Sequence, residues 1–185
     1  MTAGLVEDVA VLDEILALQR ENLPARLSAE QAREQGFVTL EHTKDILRQM
    51  HAVLPSVGAW EEGRLVGYAL SLPRECRGLI PPLAPMFEVL DTLLVEGRPL
   101  ARVPYYVMGQ VCVAKAHRGT GVLEALYAAH REAYAPRFEE LVTEISVRNV
   151  RSLRAHARVG FRDIHRYRDA MDSWVVVAWN WNSPL

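Results

Sequence analysis

Cysteine is scarce in this chain: Cys76 and Cys112 are the two present among 185 residues. They could form at most one bridge, so a disulfide scaffold is excluded and a reduced, cytoplasmic protein is the expectation. An excess of charge is missing as well. Lys and Arg number 21 against 23 Asp and Glu, which leaves no electrostatic footing for nucleic acid or for an anionic membrane surface. No apolar run approaches the roughly 20 residues that cross a bilayer. The acidic Glu7 and Asp8 are unlike the basic start of a signal peptide. The histidines show no paired metal spacing and there is no Cys-x-x-Cys, so no metal is expected. Internal repeats and low-complexity tracts are also lacking.

Half of the residues are apolar and 24% are charged, the balance of a globular protein with its own core. One domain over 1–185 is expected. Residues 8–22 place Val9, Leu12, Leu16 and Gln19 on one helical stripe, with Asp8 as N-cap and Pro24 beyond the end. Ser28 to Gly36 reads as a short helix, FVTL as an extended piece, and Thr43 as the cap of a helix stopped by Pro55. The period then changes to two. VGAWEE and RLVGYALSL, joined through Gly63, read as a hairpin.

Residues 73–104 hold six prolines around the apolar APMFEVLDTLLVEG. One helix between loops is expected, with Met86, Val89, Leu90, Leu93 and Leu94 on a stripe broad enough to need covering. Its cover is either the domain's own sheet, one side of a ligand cleft, or a second subunit. YYVMGQVCV follows as a strand apolar on both faces. After it come a glycine loop, the helix LEALYAAHREAY, the strand LVTEISV, the helix VRSLRAHARV and the strands FRDIHRY and WVVVAWNW. The aromatic and β-branched residues of the last strand would make a sticky edge if unpaired, which favours a homodimer. This order implies an α/β fold, one mixed sheet covered by helices.

HRGTGVLEAL lies between a buried strand and an amphipathic helix. Gly119 and Gly121 let the backbone turn tightly and approach a ligand, while the helix behind aims its dipole and unpaired amides at the same spot. That suits a phosphate or pyrophosphate, although an ordinary strand-to-helix turn would use the same residues. The loop is neither a Walker loop nor Gly-x-Gly-x-x-Gly. In NVRSLRAHARVGF, Asn149, Ser152 and His156 share one helical face, Val150, Leu153 and Ala157 an apolar one, and Arg151, Arg154 and Arg158 a basic one. The polar stripe reads as a wall towards a ligand. The arginines are either a solvated face or ligand contacts.

Together these segments resemble the GNAT N-acetyltransferase superfamily. Arg118, Gly121 and Leu123 stand in its Arg/Gln-x-x-Gly-x-Gly/Ala loop, with Leu123 where a small residue is usual. Asn149, Ser152, His156 and Gly160-Phe161 fill its second signature without a gap, with His156 in place of the usual Tyr. The resemblance is specific over about residues 105–168. It implies a single GNAT-type domain whose mixed central sheet has a splayed cofactor-binding strand, with helices on both faces. Little sequence is left to form the family's first strand. It also implies acetyl-CoA as acyl donor: the strand end Val111-Cys112-Val113 pairs with the pantetheine arm. Amides of Arg118, Gly119, Thr120, Gly121, Val122 and Leu123 hold the pyrophosphate, and Asn149, Ser152 and His156 complete the site.

The family's ribosomal-protein alanine acetyltransferases place a proposed base at the position of Glu144 and a proposed acid at that of His156. Glu144 lies in an apolar strand, where a carboxylate is costly unless it faces a wet cleft; the other reading is a solvent-side Glu on an edge strand. An imidazole can protonate a thiolate near neutrality, or His156 only packs helix against cofactor. Tyr105, Tyr106 and Tyr127 are alternative donors. Cys112 reads as inert packing rather than a nucleophile. The implied reaction is direct transfer of a short acyl group to a primary amine: a small amine, an amino acid, an antibiotic or a peptide or protein N-terminus. A non-catalytic acyl-CoA-binding sensor or assembly module is the alternative.

Overall fold

The computed structural model describes residues 1–23, 38 and 40–182. Their backbone forms β1 (Thr2–Leu5), α1 (Val11–Glu21), α2 (Lys44–Val53), β2 (Val57–Glu61), β3 (Arg64–Leu72), α3 (Ala84–Thr92), β4 (Leu94–Val95), β5 (Arg98–Pro99), β6 (Tyr105–Val113), α4 (Val122–Tyr134), β7 (Glu140–Ser146), α5 (Val150–Val159), β8 (Arg162–Arg168) and β9 (Ser173–Asn180). Seven strands make one sheet in the order β1-β2-β3-β6-β7-β9-β8, and β4 and β5 form a separate small hairpin. The pairings are antiparallel except β6 with β7, so the sheet is mixed, as expected. Among the described residues no helix is long and apolar enough to cross a membrane.

The alternation of side chains divides the core by sheet face. Tyr68, Leu70, Leu72, Val107, Val142 and Val176 join the cluster containing α1, α2 and the 73–104 segment. Their neighbours Ala69, Tyr106, Met108, Leu141, Val175 and Val177 join the cluster containing α4. A period of two along each strand thus builds two cores from one sheet.

Between β6 and β7 the ladder is short. Tyr105, Tyr106 and Val107 pair with Glu140, Leu141 and Val142, and the strands then part. The cause is in β6: Leu70 faces Gln110 and Ser71 faces Met108, so Gly109 is an extra, bulged residue. A bulge bends its strand. Thr143 marks the apex of the gap, its hydroxyl donating to the Met108 carbonyl at 2.8 Å.

Several sequence expectations are corrected here. A first strand does form, since β1 needs only four residues to pair Thr2–Leu5 against β2. Helix α1 starts at Val11, and Asp8 is not its cap; the Asp8 carboxylate accepts from the Ala10 amide instead. Val9 is exposed, and the buried face runs through Leu12, Ile15, Leu16 and Gln19. Strand β9 lies between β7 and β8, so it has no open edge, and the edge argument for a dimer falls away. The real edge strand β8 carries Arg162, Asp163, Arg166 and Arg168, which resist edge pairing. In α5 only Leu153 of the expected apolar stripe packs against the core; Val150 and Ala157 are exposed, and His156 is the buried residue. The helix expected at Ser28–Gly36 lies outside the described residues, as do Phe37 and Thr39; Val38 and Leu40 are not in a strand.

Thr43 caps α2 as expected, its hydroxyl accepting from the Ile46 amide. In the 73–104 segment, Met86, Leu90 and Leu93 are buried in the domain's own core, whereas Leu94 is 61% exposed.

Candidate active site

Two pockets open on the gap between β6 and β7. One has a volume of about 650 Å³ and is lined by Val111, Cys112 and Val113 of β6, by Arg118, Gly119 and Leu123, and by one face of α5. The other is smaller, about 90 Å³, and lies on the α1–α3 side of the sheet. Val38, Val111, Asn149, Ser152 and His156 line both, so the gap connects them.

The larger pocket is built by backbone. After β6 the chain makes a 3₁₀ turn at Lys115–His117, and α4 starts after Gly121, whose φ of 89° is left-handed. Gly119 is left-handed too, at 79°, and a Cβ added to either glycine meets nothing within 4 Å. The loop is therefore bare on its outer side, and the first amides of α4 are open to an anion. Arg151, Arg154 and Arg158 line this pocket beside Arg118, so the basic stripe of α5 faces it. The Arg118 guanidinium donates to the Val113 carbonyl at 3.1 Å and to the Asn22 side chain. An anionic, amide-rich donor such as acetyl-CoA fits this combination of glycine turn, helix start and arginines.

Of the residues expected to hold the donor, Val111, Cys112, Val113, Arg118, Gly119, Leu123, Asn149, Ser152 and His156 line the pocket. Thr120, Gly121 and Val122 do not. The Thr120 hydroxyl donates to the His117 carbonyl at 2.7 Å, and the Val122 side chain is buried beneath the loop, so only backbone amides remain for a ligand there. Asn149 caps α5 by accepting from the Ser152 amide at 3.2 Å. Burial pushes the Cys112 thiol up to about 12, which makes it a poor nucleophile.

The smaller pocket contains Glu144. Its neighbours along β7 are core residues, but Glu144 itself is partly buried and faces the gap. Burial raises its pKa to about 7, and the nearby Asp169 adds to this; a hydrogen bond from Tyr167 works in the opposite sense. The Tyr167 hydroxyl donates to Glu144 Oε2 from β8, reaching across the intervening β9. Tyr167 was not foreseen. Finding it requires the register of three strands: Glu144 lies opposite Val176, and Val176 opposite His165.

His156 sits at the junction, neutral, its pKa lowered to about 4 by burial. Its Nδ1 is 2.8 Å from the Ser152 carbonyl, which only accepts, so Nδ1 carries the proton. Nε2 then accepts from the Tyr127 hydroxyl at 2.7 Å. Both ring nitrogens are thus committed within the protein.

A buried network shapes the far wall. Gln19 donates to Gln110 at 2.7 Å and accepts from the His42 amide at 2.7 Å, while Gln110 accepts from the Tyr68 hydroxyl and donates to the Leu40 carbonyl. It ties Leu40 and His42 to α1 and β6, which places Val38 and Leu40 over the pocket. Pro82, Leu83 and Met86 of the 73–104 segment, with Met171 and Trp174, complete the lining. Among the described residues no cluster of three or more His, Cys, Asp or Glu is arranged for a metal ion.

The model of the acetyltransferase (GNAT) family matches residues 12–161. The chain therefore belongs to this family and is an acetyl-CoA-dependent acetyltransferase. No curated protein matches it in sequence. Solved structures are similar in fold. The ribosomal-protein-S18-alanine N-acetyltransferase from Escherichia coli is 9% identical with a TM-score of 0.66, covering 99% of this chain and 95% of its own. The ribosomal-protein-alanine N-acetyltransferase from Brucella melitensis is 18% identical with a TM-score of 0.64, covering 97% and 99%. A putative acetyltransferase from Salmonella typhimurium, solved with its cofactor acetyl-CoA, is 16% identical with a TM-score of 0.61, covering 100% and 96%.

Proposed function

We propose that this protein transfers the acetyl group of acetyl-CoA directly to a primary amine, with Glu144 as the general base. The observation that carries this reading is a carboxylate of near-neutral pKa facing the gap that joins the two pockets. The donor's phosphates would lie against the Gly119–Leu123 turn and its amide arm along Val111–Val113. The thioester would then reach the junction beside Asn149, Ser152 and His156. The amine enters from the smaller pocket, gives a proton to Glu144, and its nitrogen forms a bond to the carbonyl carbon as the carbon–sulfur bond breaks.

His156 acts here through position. Losing its proton to the thiolate would leave a buried anion on the Tyr127–His156 pair, at high cost. Its bonds to Ser152 and Tyr127 instead fix the wall against which the thioester lies, and the thiolate takes its proton from the ammonium by way of Glu144 or water. Cys112, with its raised pKa, takes no covalent part. The 73–104 segment supplies a wall of the acceptor pocket through Pro82, Leu83 and Met86.

Glu144→Gln tests this assignment. Acetyl transfer, followed as thiol release, should fall by about 10²- to 10⁴-fold in kcat/KM while acetyl-CoA affinity holds. The wild-type rate should rise with pH through about 7, where Glu144 loses its proton. A rate that survives the substitution across pH 6 to 9 would remove Glu144 as the base.

A further inference from the structure

The two pockets sort charge. Among the described residues, Arg118, Arg151, Arg154 and Arg158 line the donor side against a single acid, Glu124. On the acceptor side the ionisable side chains are Glu144 and the neutral His156. Beyond Glu144 the lining is uncharged: Gln110, Thr143, Ser146, Asn149 and Ser152 are polar, and the apolar part is made of Val38, Leu40, Leu83, Met86, Met171 and Trp174. These residues come from three separate stretches of chain, so the apolar lining is a property of the assembled pocket rather than of one segment.

We infer that the acceptor is a primary amine on an uncharged, apolar carrier: an alkyl or arylalkyl amine, or an amino acid whose carboxyl is tied up in an amide. This deepens the acyl-transfer reading and rests on it. A free amino acid holds its carboxylate two bonds from the amine. Bringing that amine to Glu144 sets two negative charges roughly 5 Å apart in a partly desolvated site. No guanidinium or ammonium among the described lining residues offsets them. Converting the carboxylate to an amide removes both the repulsion and most of the desolvation cost. An apolar carrier gains instead, since a methylene against such a wall is worth roughly tenfold or more in kcat/KM.

The test uses the purified full chain, acetyl-CoA and three acceptors of matched shape: phenethylamine, phenylalanine amide and phenylalanine. Lysine and glutamate serve as charged comparators. Thiol release gives the rate and mass spectrometry confirms the acetylated product. Phenethylamine and the amide should exceed phenylalanine by about 100-fold in kcat/KM. Met171, half exposed at the rim, offers a converse experiment: Met171→Arg should raise the ratio of phenylalanine to its amide by about tenfold by supplying the missing cation. Equal use of phenylalanine and its amide, or transfer confined to lysine or glutamate, overturns the acceptor class and leaves acyl transfer standing. Transfer to none of the five, in protein that binds acetyl-CoA by calorimetry, also overturns the acceptor class, whereas a folded chain that fails to bind acetyl-CoA overturns the acyl-transfer reading itself.

Discussion

The two pockets beside the parted strands are made by opposite means. On the assignment proposed above, the donor side uses backbone: a left-handed glycine turn, the open start of α4 and the bent end of β6, with arginines around the rim. The acceptor side uses side chains brought from far apart: Glu144 from β7, Tyr167 from β8, Leu83 and Met86 from the 73–104 segment, and Leu40 held by Gln110. Backbone recognition suits a ligand that many proteins share, because amides and helix ends offer the same groups whatever the neighbouring side chains. Side-chain recognition suits a ligand particular to one protein.

Substitutions should separate the two sides. The largest effect in this set is expected from Gly121→Val, which forces a β-branched residue into the left-handed region and strains the turn by about 1–3 kcal/mol. Acetyl-CoA affinity measured by calorimetry should fall by about 10- to 100-fold; equal affinity in a folded variant would sink the donor-side assignment. Tyr167→Phe comes next. Removing a hydrogen bond that favours the carboxylate should move the Glu144 pKa upward, since burial and Asp169 then act with less opposition. The groups facing Glu144 are Tyr167 on β8, Asp169 beyond it, and His156 across the pocket. The acidic limb of kcat/KM should therefore shift to higher pH, with a loss of about three- to tenfold at pH 7 that is recovered in alkaline buffer. A loss independent of pH would mean that Tyr167 only supports the fold. The smallest effect is expected from Arg154→Ala, an exposed cation on the donor side, which should weaken acetyl-CoA binding about two- to fivefold and less at high salt. An effect on the acceptor's KM instead would break the sorting of charge between the pockets.

Legibility in the sequence follows the same division. The glycine turn could be read because such a turn before an amphipathic helix is local: Gly119, Gly121 and the start of α4 lie within a few residues. Asn149, Ser152 and His156 could be placed on one face because helical spacing is fixed. Glu144 was visible as a carboxylate out of place in an apolar strand. Its partner Tyr167 was not, because their contact depends on β9 lying between them, and chain order alone suggested an exposed final strand. His156 illustrates a further limit. Its position was legible, but its proton state depends on the Ser152 carbonyl and the Tyr127 hydroxyl, which only the packed structure brings to its two nitrogens. The first strand was missed because a four-residue edge strand takes its identity from its neighbour.

The short ladder between β6 and β7 has a consequence for the stability of the molecule. Three paired positions, the Pro104 carbonyl accepting from the Glu139 and Glu140 amides, and the Thr143 hydroxyl join two sub-sheets, β1-β2-β3-β6 and β7-β9-β8, across this seam. On the reading proposed above, the donor's amide arm lies along β6 where further rungs would otherwise run, so the substrate is also a temporary strand. Its occupancy adds to folding free energy by mass action, about 2.7 kcal/mol at a hundred times its Kd. The cohesion of the two halves is then set in part by the surrounding concentration of acetyl-CoA, and the chain is at its most fragile when its substrate runs out.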